Sequence, residues 1–360
     1  MPTYFVHPDI AKAETISTDV YLSAEVFTLS KEKIFAPSWQ FIGDTDQIKE
    51  NGSVLPFTLL ENYQDEPLLL SRDKDGVLHC LSNVCTHRGN LVVNQPCKQP
   101  HLQCRYHGRR FQLDGTFSFM PEFSEVENFP SEKDNLKSLP VFQWGKWLFT
   151  TLTPGSPAAS YFADMIRRLD WLPVQDFHFS ADLSNDYVVE ANWALYCENY
   201  LEGFHIPFVH AGLNSVIDYG TYTTELFPYS NLQLGLAKEG EMAFDLPPSS
   251  PDYGKRVGGY YFWIFPNMMF NFYPWGLSIN IVKPVGISKT MVSFLTYVWD
   301  ETKLEQGAGS DLFRVEMEDE EVVQAVQKGI RSRFYTHGRY SVKREQGTHH
   351  FHRLLGVALS

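Results

Sequence analysis

Two short segments of this 360-residue chain pair a cysteine with a histidine. They are Cys85-Thr-His87 and, sixteen residues later, Cys104-Arg-Tyr-His107, each followed by a glycine, Gly89 and Gly108. Thiolate and imidazole are soft and borderline donors that suit iron. Two of each in this order is the donor set of a 2Fe–2S cluster in which two thiolates hold one iron and two imidazoles the other. The neutral imidazoles remove negative charge and raise the reduction potential. Such a centre takes electrons singly from a flavin or ferredoxin and passes them on. A Cys2His2 zinc site fits the residue types but not the spacing. A Cys85–Cys104 disulfide needs an oxidising compartment, and the first twenty residues show no apolar export segment behind a basic start. Cys80, Cys97 and Cys197 have no histidine companion and are read as buried thiols.

A second constellation lies at Asn192-Trp-Ala-Leu-Tyr-Cys-Glu198-Asn199-Tyr-Leu-Glu202-Gly-Phe-His205-Ile-Pro207-Phe-Val-His210. Read as one helix, Glu198, Glu202 and His205 share a face at i, i+4 and i+7, and Pro207 bends the helix so that both imidazoles reach one point. Two histidines and one carboxylate make the facial triad of a non-haem Fe(II) oxygenase, with positions left open for O2. The third ligand is sought on a second helical stretch, Leu312–Ile330. Leu312, Val315, Asp319, Val322, Val323, Val326 and Ile330 fall on one stripe there. Asp319 is the only acid in it, and a buried acid is costly unless paired or metal-bound. That favours Asp319 over Glu316, Glu318, Glu320 and Glu321, which read as solvated surface. His337, His349, His350 and His352 are read as ordinary core or surface residues.

These groups need elements to hold them. Residues 39–150 read as β structure. Val54–Leu60, Pro67–Ser71 and Val77–Asn83 are short strands, and Phe111–Phe117 is a hairpin with an Asp114-Gly115 turn. Both Cys/His pairs then fall at strand ends or in the loops that follow. Thr153–Ala159, with Pro154, Gly155, Ser156 and Pro157, is a linker. Beyond it, strands at Gly259–Phe265, Met268–Tyr273, Leu277–Val282 and Thr290–Val298 mix with the helices. The fold expected is α+β, an N-terminal all-β domain (38–152) inserted into a second domain (1–37 and 153–360) built on a large antiparallel sheet flanked by helices. Gly258–Trp275 is apolar but carries Pro266, Pro274, Asn267 and Asn271, so it reads as buried strands and not as a membrane span. Thirty basic residues against 43 acidic ones, a formal charge of −13, argue against a nucleic-acid partner. The setting expected is cytoplasmic.

With Trp39, Asn83-Val-Cys85-Thr-His87-Arg88-Gly89, Cys104-Arg-Tyr106-His107-Gly108, Phe111, Asp114-Gly115, Asn192-Trp193, Glu198-Asn199, the His205/His210 pair and Phe265-Pro266-Asn267, the chain resembles the Rieske non-haem iron oxygenases over nearly its whole length. The resemblance implies that Cys85, His87, Cys104 and His107 hold the cluster and that His205, His210 and Asp319 hold a mononuclear Fe(II). It also implies a head-to-tail homotrimer in which one subunit's cluster serves its neighbour's iron. The carboxylate three residues before the first iron histidine bridges the two centres. Here that is Glu202, taken with Asn199 as a candidate catalytic residue. Aromatic-ring dioxygenases usually carry Asp at this position, and Glu is similar to members acting on quaternary ammonium compounds. Arg109 stands where many members have Trp, which bears on the surface offered to the reductase.

The activity expected is that of an oxygenase component using O2 and electrons from a separate NAD(P)H-dependent reductase of flavin or ferredoxin type, because no Gly-rich dinucleotide fingerprint is present. The substrate is a small organic molecule. Phe204, Phe262, Trp263, Phe265, Phe270, Phe272, Tyr273 and Trp275 are read as an aromatic wall that takes a trimethylammonium group by cation–π contact or a flat hydrocarbon by apolar burial. The alternatives are an aromatic-ring dihydroxylating dioxygenase serving aromatic hydrocarbon catabolism and an electron-transfer protein with a silent second domain.

Overall fold

The computed structural model describes residues 4–360 and divides into two units, Ala36–Gly155 and the remainder. In Ala36–Gly155, strands β1 (Gln40–Asp44), β2 (Ser53–Leu59), β3 (Glu66–Arg72), β4 (Leu78–Ser82), β5 (Cys97–Lys98), β6 (Leu102–Gln103), β7 (Arg110–Phe111), β8 (Phe117–Phe119), β9 (Ser138–Leu139), β10 (Val141–Trp144) and β11 (Trp147–Thr150) form three antiparallel sheets. Their orders are β1-β11-β10, β5-β2-β3-β4-β9 and β6-β7-β8. The core of the second and third sheets is Val54, Leu69, Leu81, Leu102, Phe111, Leu113 and Leu136, and both Cys85 and Cys104 belong to it.

The other unit is built on a seven-stranded antiparallel sheet of order β12-β18-β17-β16-β15-β14-β13. The strands are β12 (His178–Val189), β13 (Thr223–Phe227), β14 (Ser230–Leu236), β15 (Val257–Ile264), β16 (Met268–Tyr273), β17 (Gly276–Gly286) and β18 (Lys289–Val298). The helices are α1 (Asp19–Leu22), α2 (Ala24–Ser30), α3 (Ala159–Arg168), α4 (Trp193–Tyr200), α5 (Ile206–Val209), α6 (Ala211–Val216), α7 (Leu312–Gly329) and α8 (Gln346–Leu359). Every residue of β15 and β16 is buried, so both faces are covered, which is why the sequence there is apolar without alternation. None of the described helices is long and apolar enough to cross a membrane.

Two helical expectations are corrected. Asn192–His210 is not one bent helix. α4 is capped by the Asn192 side chain, which accepts from Ala194 N at 3.0 Å, and it stops at Tyr200. A loop follows in which Gly203 lies against the Tyr222 ring; a Cβ there would meet Tyr222 Cε1 at 2.6 Å. Pro207 does not bend a helix but sits in the first turn of α5, where its missing N–H costs nothing. The buried stripe of α7 is also rotated. Glu316, Val323, Gln327 and Ile330 are buried, while Val326 is 41% exposed. Polar residues take core positions because α7 faces a cavity and the polar side of α4.

Candidate metal centres and cavity

The two cluster loops are built alike. Cys85 N donates to Asn90 O (2.8 Å) and Gly89 N to Cys85 O (3.0 Å); Cys104 N donates to Arg109 O (2.9 Å) and Gly108 N to Cys104 O (3.1 Å). Both glycines sit at positive φ, +69° and +73°, where a Cβ is strained. Asn83 closes the base of the first loop, donating to Val93 O (2.7 Å) and accepting from Val93 N (2.9 Å). Each turn buries its cysteine, 3% and 2% exposed, and leaves its histidine half-buried at the rim. The rings of His87 and His107 lie 4.7 Å apart, and Tyr106, 58% exposed, lies against His107. Burial raises the Cys85 thiol. Burial works the same way on Cys104, but backbone N–H groups of Tyr106 and His107 and the Asn90 amide outweigh it and pull that thiol down. Burial and the neighbouring His107 and Arg88 hold His87 below the usual imidazole range, keeping it in the neutral form that binds metal.

Arg109 corrects an expectation. It is 2% exposed and cannot present a surface to a partner. Its guanidinium pairs with Asp134 at 2.7 Å and lies over the rings of Phe117, Phe129 and Phe111 at 4.9, 5.4 and 5.7 Å. It braces the second cluster loop from within.

In the other unit, His205, His210 and Asp319 each bring one ligand atom to within 4.8 Å of the others. Asp319 Oδ1 is 3.0 Å from His210 Nε2 and 3.6 Å from His205 Nε2. Both rings present Nε2 because a carboxylate holds the opposite nitrogen. Glu202 Oε1 takes His205 Nδ1 at 2.7 Å and Glu318 Oε2 takes His210 Nδ1 at 2.8 Å. The other Glu202 oxygen accepts from the backbone N–H groups of Phe204 and His205, fixing the loop after α4. Burial disfavours a charged His210, yet Asp319 and Glu318 outweigh it and raise its pKa. A site that attracts a proton this way attracts a metal cation in its place.

α4 and α7 are joined by two parallel rungs. Tyr196 Oη donates to Glu316 Oε2 and Asn199 Nδ2 to Asp319 Oδ1, each at 2.5 Å. Glu198, on the opposite side of α4, instead meets the buried His352 at 3.0 Å and is not part of the site. Beside the three ligand-type residues is a cavity of about 110 Å³. One face of the sheet supplies Gln233, Tyr261, Asn271, Tyr273, Asn280 and Phe294, adjacent through the pairs Gln233↔Tyr261, Tyr261↔Asn271 and Asn280↔Phe294. Tyr196, Tyr200, Tyr222 and Glu316 complete it from the loop and helix side. Of the aromatic wall expected from sequence, only Tyr273 lines the cavity. Phe262, Phe270 and Phe272 take the opposite strand parity, Trp263 and Phe265 are buried without lining it, Trp275 stacks on Tyr273 behind the lining, and Phe204 is 40% exposed. The cavity's aromatic lining is five tyrosines, Tyr196, Tyr200, Tyr222, Tyr261 and Tyr273, with Phe294.

Family comparison follows this division. Residues 38–130 match the Rieske 2Fe–2S domain, and residues 170–359 match the ring-hydroxylating alpha subunit catalytic domain. The chain belongs to the ring-hydroxylating alpha subunits. This oxygenase is 30% identical to chloroplastic choline monooxygenase of Arabidopsis thaliana, over 96% of its own length and 83% of that protein. It is 26% identical to the carnitine monooxygenase oxygenase subunit of Escherichia coli (strain K12), over 96% and 93%. Among solved structures it resembles the quaternary ammonium Rieske monooxygenase CntA with L-carnitine (TM-score 0.78, 24% identity, 98% and 97% covered). Naphthalene 1,2-dioxygenase from Rhodococcus sp. shares the fold at TM-score 0.74 and 16% identity, with 96% and 94% covered.

As a member of this family the oxygenase is an oxidoreductase with a 2Fe–2S cluster and a mononuclear non-haem iron. Its residues fit both. Two buried sulfurs behind two rim imidazoles suit a cluster whose irons differ in ligand type, and two Nε2 atoms facing one carboxylate suit a lone iron. Sequence reasoning missed Glu316, Glu318, Tyr196 and Tyr222. One signal was available for the cavity floor. Ser278 and Asn280 alternate with Leu277, Ile279 and Ile281 in a strand whose first seven residues are all buried, so their polar face had to look into something other than solvent or core.

Proposed function

We propose that this chain is the oxygenase component of a two-part system that hydroxylates a carbon next to a quaternary ammonium nitrogen. The observation that carries this reading is the tyrosine-walled cavity, with buried carboxylate, opening beside His205, His210 and Asp319. In such a reaction one atom of O2 enters a C–H bond and the other leaves as water, consuming two electrons and two protons. The hydroxylated carbon then loses its bond to nitrogen: the C–N electron pair goes to nitrogen and the hydroxyl proton is released, giving an aldehyde and a tertiary amine together. The iron, held by His205, His210 and Asp319, would supply the activation of O2. Cys85, His87, Cys104 and His107 would hold the cluster that delivers electrons from a separate flavin- or ferredoxin-type reductase. Glu202 fixes the His205 ring and its neighbours, the tyrosines exclude water, and their rings face the cation.

The relative named for choline and the structure solved with L-carnitine support the ammonium class. One CntA structure is described as giving insight into inter-subunit electron transfer, and we extend to this chain a head-to-tail trimer in which Glu202 bridges the centres. Exposed aromatics flank both sites, Phe204 and Phe208 at the iron loop and Tyr106 at the cluster, as an association surface would require. A reducing cytoplasm suits Cys80, Cys97 and Cys197, which form no disulfide.

Iron analysis and one variant test the reading. About three irons per chain are expected, against about two for a pure electron carrier. His205→Ala is expected to keep the cluster's visible spectrum and to lose product formation. Retained turnover would overturn the site.

A further inference from the structure

Glu316 is a carboxylate with one oxygen uncommitted. The residue is 2% exposed and lines the cavity. Tyr196 takes Oε2, while Oε1 is buried with no hydrogen-bond partner. A buried carboxylate oxygen left unpaired is costly, so it calls for a ligand that supplies the missing positive charge or donor. The other acids of the cavity are engaged, Glu202 with His205 and Asp319 with His210 and Asn199. Among the described residues lining the cavity there is no Lys or Arg. Burial pushes the Glu316 carboxyl up to about 8, and a cation seated against Oε1 would supply the positive charge that favours its ionised form.

We propose that Glu316 selects the substrate by charge, admitting a small quaternary ammonium cation that carries no carboxylate, such as a trimethylammonium alcohol, and rejecting zwitterions. This rests on the quaternary ammonium reading and narrows it. The carboxylate of a betaine or carnitine-type molecule finds no cation in the cavity and meets Glu316 and Asp319, whereas a lone cation is matched by one anion. Glu316 lies one helical turn before Asp319, about 4.5 Å along the axis. A cation held there, with Tyr222, Tyr261 and Tyr273 close by, keeps its carbons beside the iron ligands.

The test is calorimetric binding to the fully iron-loaded oxygenase under anaerobic conditions, without turnover. The probes are choline, its uncharged carbon isostere 3,3-dimethylbutan-1-ol, and L-carnitine. Choline is expected to bind at least tenfold more tightly than either. Glu316→Gln, which keeps the shape and the Tyr196 contact, is expected to bring choline down to the affinity of the isostere while iron content and the cluster spectrum stay unchanged. The inference is overturned if carnitine binds as well as choline, or if Glu316→Gln leaves the ratio of choline to isostere intact. In both cases the ammonium reading survives. If neither cation nor zwitterion binds, that reading falls as well.

Discussion

At the scale of the residue, the proposed iron site rests on acids outside its three candidate ligands. Glu318 holds His210 Nδ1 and is itself held by Arg314 Nε at 3.1 Å, so a surface arginine steadies a ligand two contacts away. Such outer carboxylates orient an imidazole and raise its basicity, and losing one typically costs 10–100-fold in metal affinity. Glu318→Ala is expected to weaken mononuclear iron binding by about that factor, read by chelator competition, with the cluster absorption unchanged; equal affinity would remove Glu318 from the site. The sequence shows why these roles differ in legibility. Cys85, His87, Cys104 and His107 are local pairs with diagnostic spacing. Glu316 and Glu318 sit in a run of acids where only the phase of the helix tells a cavity residue from a surface one. The apolar stripe drawn through Val315 and Val326 misplaced that phase by one residue.

At the scale of the element, short-range signals survived folding and long-range ones did not. The strands expected at Val54–Leu60, Pro67–Ser71 and Val77–Asn83 and the Asp114-Gly115 hairpin lie where turn residues and apolar runs place them, whereas β12, β13 and β14 have no expected counterpart. The break after Tyr200 depends on Gly203 meeting Tyr222, a contact between distant segments that no local pattern announces. α8 gives a further case. His350 looks unremarkable in sequence, yet burial pushes its pKa down to about 4 against a weaker opposing pull from the Phe227 backbone. In the unfolded chain the ring titrates near 6.5. As pH falls, the unfolded state therefore binds the proton first. The stability this neutral ring carries is complete above about 6.5 and drains away between about 6.5 and 4, by up to about 3 kcal/mol. His350→Gln should flatten the fall in urea midpoint between pH 7 and pH 5 relative to the parent. A parallel fall in both proteins would assign the acid sensitivity to other groups.

At the scale of the whole molecule, the question is which iron each cluster serves. The cluster loops belong to one compact unit and the iron ligands to another, and each metal site carries exposed aromatic side chains beside it, Tyr106 at one and Phe204 and Phe208 at the other. Apolar rings left at the surface next to redox centres suit contact with another protein molecule. In the proposed ring of three, electrons cross from one chain to the next, and this can be separated from transfer within a chain. Cys85→Ser should lose the cluster and keep the lone iron; Asp319→Ala should do the reverse. Each alone is expected to be inactive. In a co-expressed mixed trimer of either composition, one of the three junctions joins an intact cluster to an intact iron. Turnover of about one third of the parent rate is therefore expected. If electrons stay within a chain, every chain in the mixture lacks one centre and the activity remains at zero.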